Sequence, residues 1–132
     1  MSLEVNDIAC LRRGLEHFRT GDYFAAHDDW EEVWQGLRGR RRLFWQAMIQ
    51  LVVGAYHYTN GNRRGCQGQW YKALAKCDTL ATDSSLPVVE PLPLLRETLL
   101  SLCAALERDD DPLPTLQVFA TSVMSEHWFA FE

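Results

Sequence analysis

From Leu43 to Asn62 the chain carries no charged side chain. Such a run is long enough to cross a membrane, but Gln46, Gln50, His57 and Asn60 interrupt it at amphipathic spacing, so it reads as a buried helix. Gln46, Gln50, Val53 and His57 share one stripe, while Phe44, Met48, Ile49, Leu51, Val52 and Tyr56 occupy the other faces. A helix apolar nearly all round must be covered on several sides. This one, expected over residues 41–59, therefore belongs at the centre of the fold.

The neighbours that cover it are also legible. Ile8, Leu11, Leu15 and Phe18 recur at helical spacing after Asn6 and Asp7, either of which can cap a first helix ending near Thr20 and Gly21. Asp22 caps a second helix, with Tyr23, His27, Trp30 and Trp34 on one stripe and Glu31 at its flank, closed by Gly36 and Gly39. The turn Asn60-Gly61-Asn62 leads into a fourth helix over residues 63–80, carrying Cys66, Trp70, Leu74 and Cys77. A Thr-, Asp-, Ser- and Pro-rich loop is expected over residues 81–91, and a fifth helix over 92–107 buries Leu95, Leu99, Leu102 and Leu106. Asp109-Asp110-Asp111-Pro112-Leu113-Pro114 stops that helix. The tail 115–132 fits a short helix or an extended arm, and Trp128, Phe129 and Phe131 would give it an apolar surface for self-association if left in water.

A shift of forty residues lays Gly21, Ala26 and Trp30 on Gly61, Cys66 and Trp70, as helical-hairpin repeats require. The expected fold is thus all-α, a single domain over residues 1–132. It has five or six helices in antiparallel hairpins that resemble tetratricopeptide-type packing, a motif-bearing core at 18–80, the loop at 81–91, and a C-terminal helix and tail at 92–132. Apolar residues at 47% and charged residues at 23% are ordinary for a globular protein. A net charge of -5 argues against a general nucleic-acid binder, and the arginines at 38, 40, 41 and 42 are expected as a solvated turn able to meet an acidic partner. Cys10, Cys66, Cys77 and Cys103 form no CxxC pair and read as reduced, buried thiols. The N-terminus shows no apolar signal region, so a cytoplasmic location and no membrane association are expected.

The polar groups on the two central stripes form the candidate site. His27 and Glu31, four apart, leave one face of helix two and could hold a metal weakly or pair with each other; no cofactor is implied. Hairpin arithmetic sets Gln46 and Gln50 opposite Glu31 and His27, and carries His57 about 10 Å further along the axis, near Tyr23 and Asn62. Glutamine is a poor metal ligand but a good partner for imidazole or carboxylate, which favours a polar network of His27, Glu31, Gln46 and Gln50 joined by Arg42. With Tyr23, Trp34, His57 and Asn62 these make a polar-aromatic pocket. No Gly-x-Ser-x-Gly, phosphate-binding glycine loop or HExxH supplies a catalytic motif.

At the same residues the chain resembles the small all-helical proteins of the domain of unknown function 309 group. Their pattern, Gly-x-Tyr-x-x-Ala-His-Glu-x-x-Glu-x-x-Trp, then Arg-x-Phe-x-Gln-Gly-x-Ile-Gln, then a histidine and Gly-Asn, is answered in three places. Gly21, Tyr23, Ala26, His27, Asp28, Glu31 and Trp34 come first, then Arg42, Phe44, Gln46, Ala47, Ile49 and Gln50, then His57, Gly61 and Asn62. The chain departs from the pattern at Asp28, where glutamate is expected, at Trp30, where a smaller aliphatic is, and at Ala47, where glycine is. The resemblance implies an all-helical, hairpin-built, cytoplasmic protein and no established activity. Two functions are compatible with these residues. One is a non-enzymatic binding or scaffolding module for a small ligand or protein segment, able to form a homo-oligomer; the other is a metal-assisted or acid–base hydrolase using His27 and Glu31.

Overall fold

The computed structural model describes residues 3–82 and 90–132. Most of the loop expected over 81–91 lies outside the described residues. Six α-helices follow one another: α1 (Val5–Arg19), α2 (Tyr23–Trp34), α3 (Gly39–Thr59), α4 (Arg63–Ala81), α5 (Pro91–Glu107) and α6 (Leu113–Val118). A π-helical turn (Phe119–Val123) and a 3-10 turn (Glu126–Ala130) complete the chain. The fold is all-α, as expected. Among the described residues no helix is long and apolar enough to cross a membrane.

Local chemistry places the helix ends. Asp22 accepts the Ala25 N–H at 3.2 Å and Asn62 accepts the Gly65 N–H at 2.9 Å, capping α2 and α4. The first helix begins earlier than Asn6 or Asp7 would start it. Glu4 is its cap, and Asp7, inside the first turn, accepts the Glu4 N–H at 3.3 Å. Gly39 does not close α2; it opens α3 at φ +63°.

Each helix packs on the next, α1 on α2, α2 on α3, α3 on α4 and α4 on α5. Helix α3 is buried on several faces, through Phe44, Trp45, Met48, Leu51, Val52 and Ala55, which makes it the central helix the sequence demanded. The forty-residue shift proves to be geometric. The His17 carbonyl accepts the Asp22 N–H at 2.8 Å, and the His57 carbonyl accepts the Asn62 N–H at 2.8 Å, around glycines at φ +83° and +75°. Trp30 then donates its indole N–H to the Leu11 carbonyl at 3.1 Å, and Trp70 donates to the Leu51 carbonyl at 2.9 Å. Both indoles lie on a glycine of the preceding helix. A β-carbon on Gly14 would fall 2.1 Å from the Trp30 ring nitrogen, and one on Gly54 2.3 Å from that of Trp70.

A third corner of the same form joins α5 to α6. Asp110 donates to the Ala105 carbonyl at 2.8 Å, and Asp109 takes the left-handed position at φ +63° that glycine holds elsewhere. Val118 stands nine residues after it, where the other corners have tryptophan, so this hairpin escapes the sequence repeat.

The tail is neither an exposed arm nor an apolar surface for self-association. Trp128, Phe129 and Phe131 are buried at 4%, 5% and 4% exposure, with the Phe131 ring stacked on Phe44 at 4.2 Å. The expected solvated arginine turn is also corrected, because its side chains take up backbone carbonyls. Arg40 donates to the Leu80 carbonyl at 3.2 Å and Arg41 to the Phe131 carbonyl at 2.9 Å. Arg19 adds bonds to the Ala120 and Met124 carbonyls at 2.8 and 3.0 Å, so the last turns are pinned from α1 and α3 together.

The sockets predict a contrast among glycine variants. Gly14→Ala and Gly54→Ala should each destabilise the protein by about 2–3 kcal/mol through overpacking against an indole. Gly68→Ala, on α4 with open space around it, should stabilise by about 0.5–1 kcal/mol. Urea melts of the three variants check this; equal effects at all three positions would dismiss the sockets.

Candidate functional site

Helices α2 and α3 meet along a line whose ends are marked by two contacts. At one end the rings of Phe24 and Tyr56 lie 5.2 Å apart. At the other, Trp34 donates its indole N–H to the Arg42 carbonyl at 3.0 Å and the Arg42 guanidinium sits 3.8 Å above the Trp34 ring. Antiparallel helices joined at these points set His27 across from Gln50 and Val53, and Glu31 across from Gln46 and Ile49.

The hydrogen bonds are not those expected. His27 Nε2 lies 2.5 Å from Glu31 Oε2, one turn away on the same helix. Asp28 Oδ1 is 3.2 Å from His27 Nδ1 but out of hydrogen-bonding geometry, so Nδ1 is buried with no hydrogen-bond partner. Across the interface Gln50 Oε1 is likewise buried without a partner. Among the described residues no hydrogen bond joins Gln46 or Gln50 to His27 or Glu31, so the four do not close into a network.

Arg42 does not join them either. It donates to the Trp34, Gln35 and Leu37 carbonyls at 3.2, 3.3 and 3.1 Å, closing the C-terminal end of α2 while stacking on Trp34. Tyr23 packs edge-on to Phe18 at 6.2 Å, and burial first, then Asp111, raises its hydroxyl pKa above the ordinary value. His57 and Asn62 belong to the second hairpin corner, where Asn62 Nδ2 lies 3.4 Å from His57 Nδ1. The nine expected residues thus divide among the groove (His27, Glu31, Gln46, Gln50), its stacked end (Trp34, Arg42) and two corners (Tyr23, His57, Asn62).

Two further residues of the groove, Phe24 and Tyr56, were not among the expected site residues. Phe24 is 50% exposed, touching Tyr56 and, at 5.6 Å, the His27 ring; Tyr56 is 37% exposed. Their signal was the spacing of Phe24, His27 and Glu31 at i, i+3 and i+7, which sets Phe24 on the outer edge of the same stripe.

Residues 11–69 match the family described as Domain of unknown function (DUF309). Over this stretch the chain is similar to that family. The DUF309 match begins at the carbonyl that receives Trp30 and contains all nine expected site residues. Trp30, one of the departures from the family pattern, is the residue that fills the first glycine socket. Over 54 residues the chain is 35% identical to the uncharacterized protein YpuF of Bacillus subtilis (strain 168), covering 40% of this chain and 31% of that protein. The chain therefore spans about a third of that relative's length. No solved structure matches the chain.

Outside the DUF309 groove, a cleft of about 420 Å³ opens between Ile8, Arg41 and Phe129, and one of about 310 Å³ between Leu92, Arg96 and Leu100. Neither is lined by an expected site residue. Among the described residues no three His, Cys, Asp or Glu side chains converge as metal ligands would. All four cysteines are free and buried, and burial pushes the Cys66 and Cys77 thiols up to about 12 and Cys103 up to about 11.

Two outcomes follow. Arg42→Lys, which keeps the charge but not the planar fork, should cost about 1–2 kcal/mol of stability; an unchanged thermal midpoint would remove the capping role. The thiols should make the fold alkali-sensitive. Below pH 9, their ordinary value, folded and unfolded chains both keep them protonated, whereas between pH 9 and about 12 the unfolded chain alone ionises at Cys66 and Cys77. Urea midpoints should then fall from pH 8 to pH 11 and fall less in Cys66→Ala, provided each is referred to its own pH 8 value.

Proposed function

We propose that this chain is a cytoplasmic, non-enzymatic helical binding module of one domain, and that its site is the groove between α2 and α3. The observation that carries the proposal is the pair of buried, unpartnered polar atoms on facing helices, His27 Nδ1 and Gln50 Oε1. Each costs about 1–3 kcal/mol when left without a hydrogen bond, so a fold that keeps two of them in one interface retains them for something that completes them. The groove's margins suit an organic ligand or a protein segment: aromatic surface at Phe24 and Tyr56, apolar Ile49 and Val53 between, and a few polar groups to fix orientation. A hydrolase built on His27 and Glu31 would need a third group beside them, and the close carboxylate neighbours of His27 are Asp28 and Glu31, both acceptors.

The test is a nuclear magnetic resonance titration of the 15N-labelled chain against fragments of cationic, anionic, neutral polar and apolar chemistry. Binding fragments should shift amides within residues 24–34 and 42–57. Shifts confined to the Arg41–Phe129 cleft, or no shifts with any fragment, would overturn the proposal.

A further inference from the structure

Resting on that groove, we infer that its occupant is a protein segment presenting an arginine or lysine side chain, held over the Phe24–Tyr56 ring pair and beside Asp28 and Glu31. Phe24 and Tyr56 are two of six large apolar side chains exposed among the described residues, and they touch each other. An aromatic ring is negative on its faces and positive at its edge, so a cation that seats on the face of an exposed ring gains from it.

Charge on the same stripe points the same way. Asp28 and Glu31 lie four and seven residues after Phe24, one or two turns along the helix, with side chains 60% and 44% exposed. Arg42 is the basic residue along the groove's edge, and its guanidinium is already taken by three carbonyls and the Trp34 ring. What faces solvent at the Phe24 end is therefore aromatic and anionic, in a chain of net charge -5.

Arg42 also shows what the groove does with a cation. At the Trp34 end the chain lays its own guanidinium on an indole at 3.8 Å and gives its N–H groups oxygen acceptors. The Phe24 end offers the same two elements, aromatic rings and oxygens, and among the described residues no arginine or lysine lies over those rings. From Phe24 to Trp34 the groove runs about 15 Å along α2, which a segment of five extended residues spans. Ile49 is buried and Val53 partly buried, both apolar and, in the register above, opposite Glu31 and His27, so apolar residues beside the cation would complete the contact.

The experiment uses the full chain and two acetylated, amidated nine-residue Gly/Ser/Leu peptides, one with a central arginine and one with citrulline, which keeps the shape and loses the charge. The arginine peptide should shift amides around Phe24, His27, Glu31 and Tyr56, and bind about three- to tenfold tighter than the citrulline peptide, the margin shrinking with added salt. Phe24→Leu, and Asp28→Asn with Glu31→Gln, should each remove most of that margin while leaving the amide spectrum folded. Equal binding of the two peptides would overturn the inference and leave the binding groove standing. Failure of both peptides, while neutral or anionic fragments still shift residues 24–34, would do the same. Silence of the groove toward every fragment and peptide would sink the groove and the inference together.

Discussion

An indole laid on a glycine holds each of the first two hairpins together. Trp30 on Gly14 and Trp70 on Gly54 are both fully buried, and each N–H finds a carbonyl of the helix beneath, so a large side chain is packed without leaving a polar atom unsatisfied. Glycine is what allows it. Any β-carbon would occupy the space of the ring, and the helices would have to separate along their length. Since the corner geometry and the socket recur together, two copies of one hairpin stand side by side, and the remaining architecture concerns how they are joined and closed.

Joining them falls to α2 and α3, which have no such socket between them. Their contact rests on Phe24 with Tyr56, Trp34 with Arg42, and Trp30 with Trp45 at 5.4 Å. Beside these contacts lie polar atoms of a kind that a socket would exclude. The indole N–H of Trp45 is buried there without a partner, as are His27 Nδ1 and Gln50 Oε1. Closure comes from the arginines at the start of α3 and from Arg19, whose guanidinium groups hold carbonyls at the ends of α2, α4 and the last turns. Arginine suits this work because its planar fork can serve several acceptors at once.

The site was partly legible. Helical spacing was enough to set His27, Glu31, Gln46 and Gln50 on the polar stripes of α2 and α3. It could not say whether they bond, because a hydrogen bond depends on ångström-scale separations that crossing helices set, and the glutamines stay unbonded to the α2 pair. Arg42 was read as a member of the network and the neighbouring arginines as solvated, since a basic run near glycines carries no mark of the carbonyls it will meet. For Arg40 and Arg41 those carbonyls belong to Leu80 and Phe131, forty and ninety residues further along the chain.

What the sequence determined by itself was local and periodic: five or six helices, the cap at Asp22, the glycine turns at Gly21 and Gly61, the central place of α3 and the hairpin repeat. These follow from side-chain spacing and backbone preference within a few residues. Tertiary structure alone decided that the HWFAF ending packs under α3, that an aspartate serves as the third corner, and that Phe24 and Tyr56 meet at the surface. Each of these depends on which distant groups come to share a small volume, and burial of apolar area is non-directional until close packing selects one arrangement.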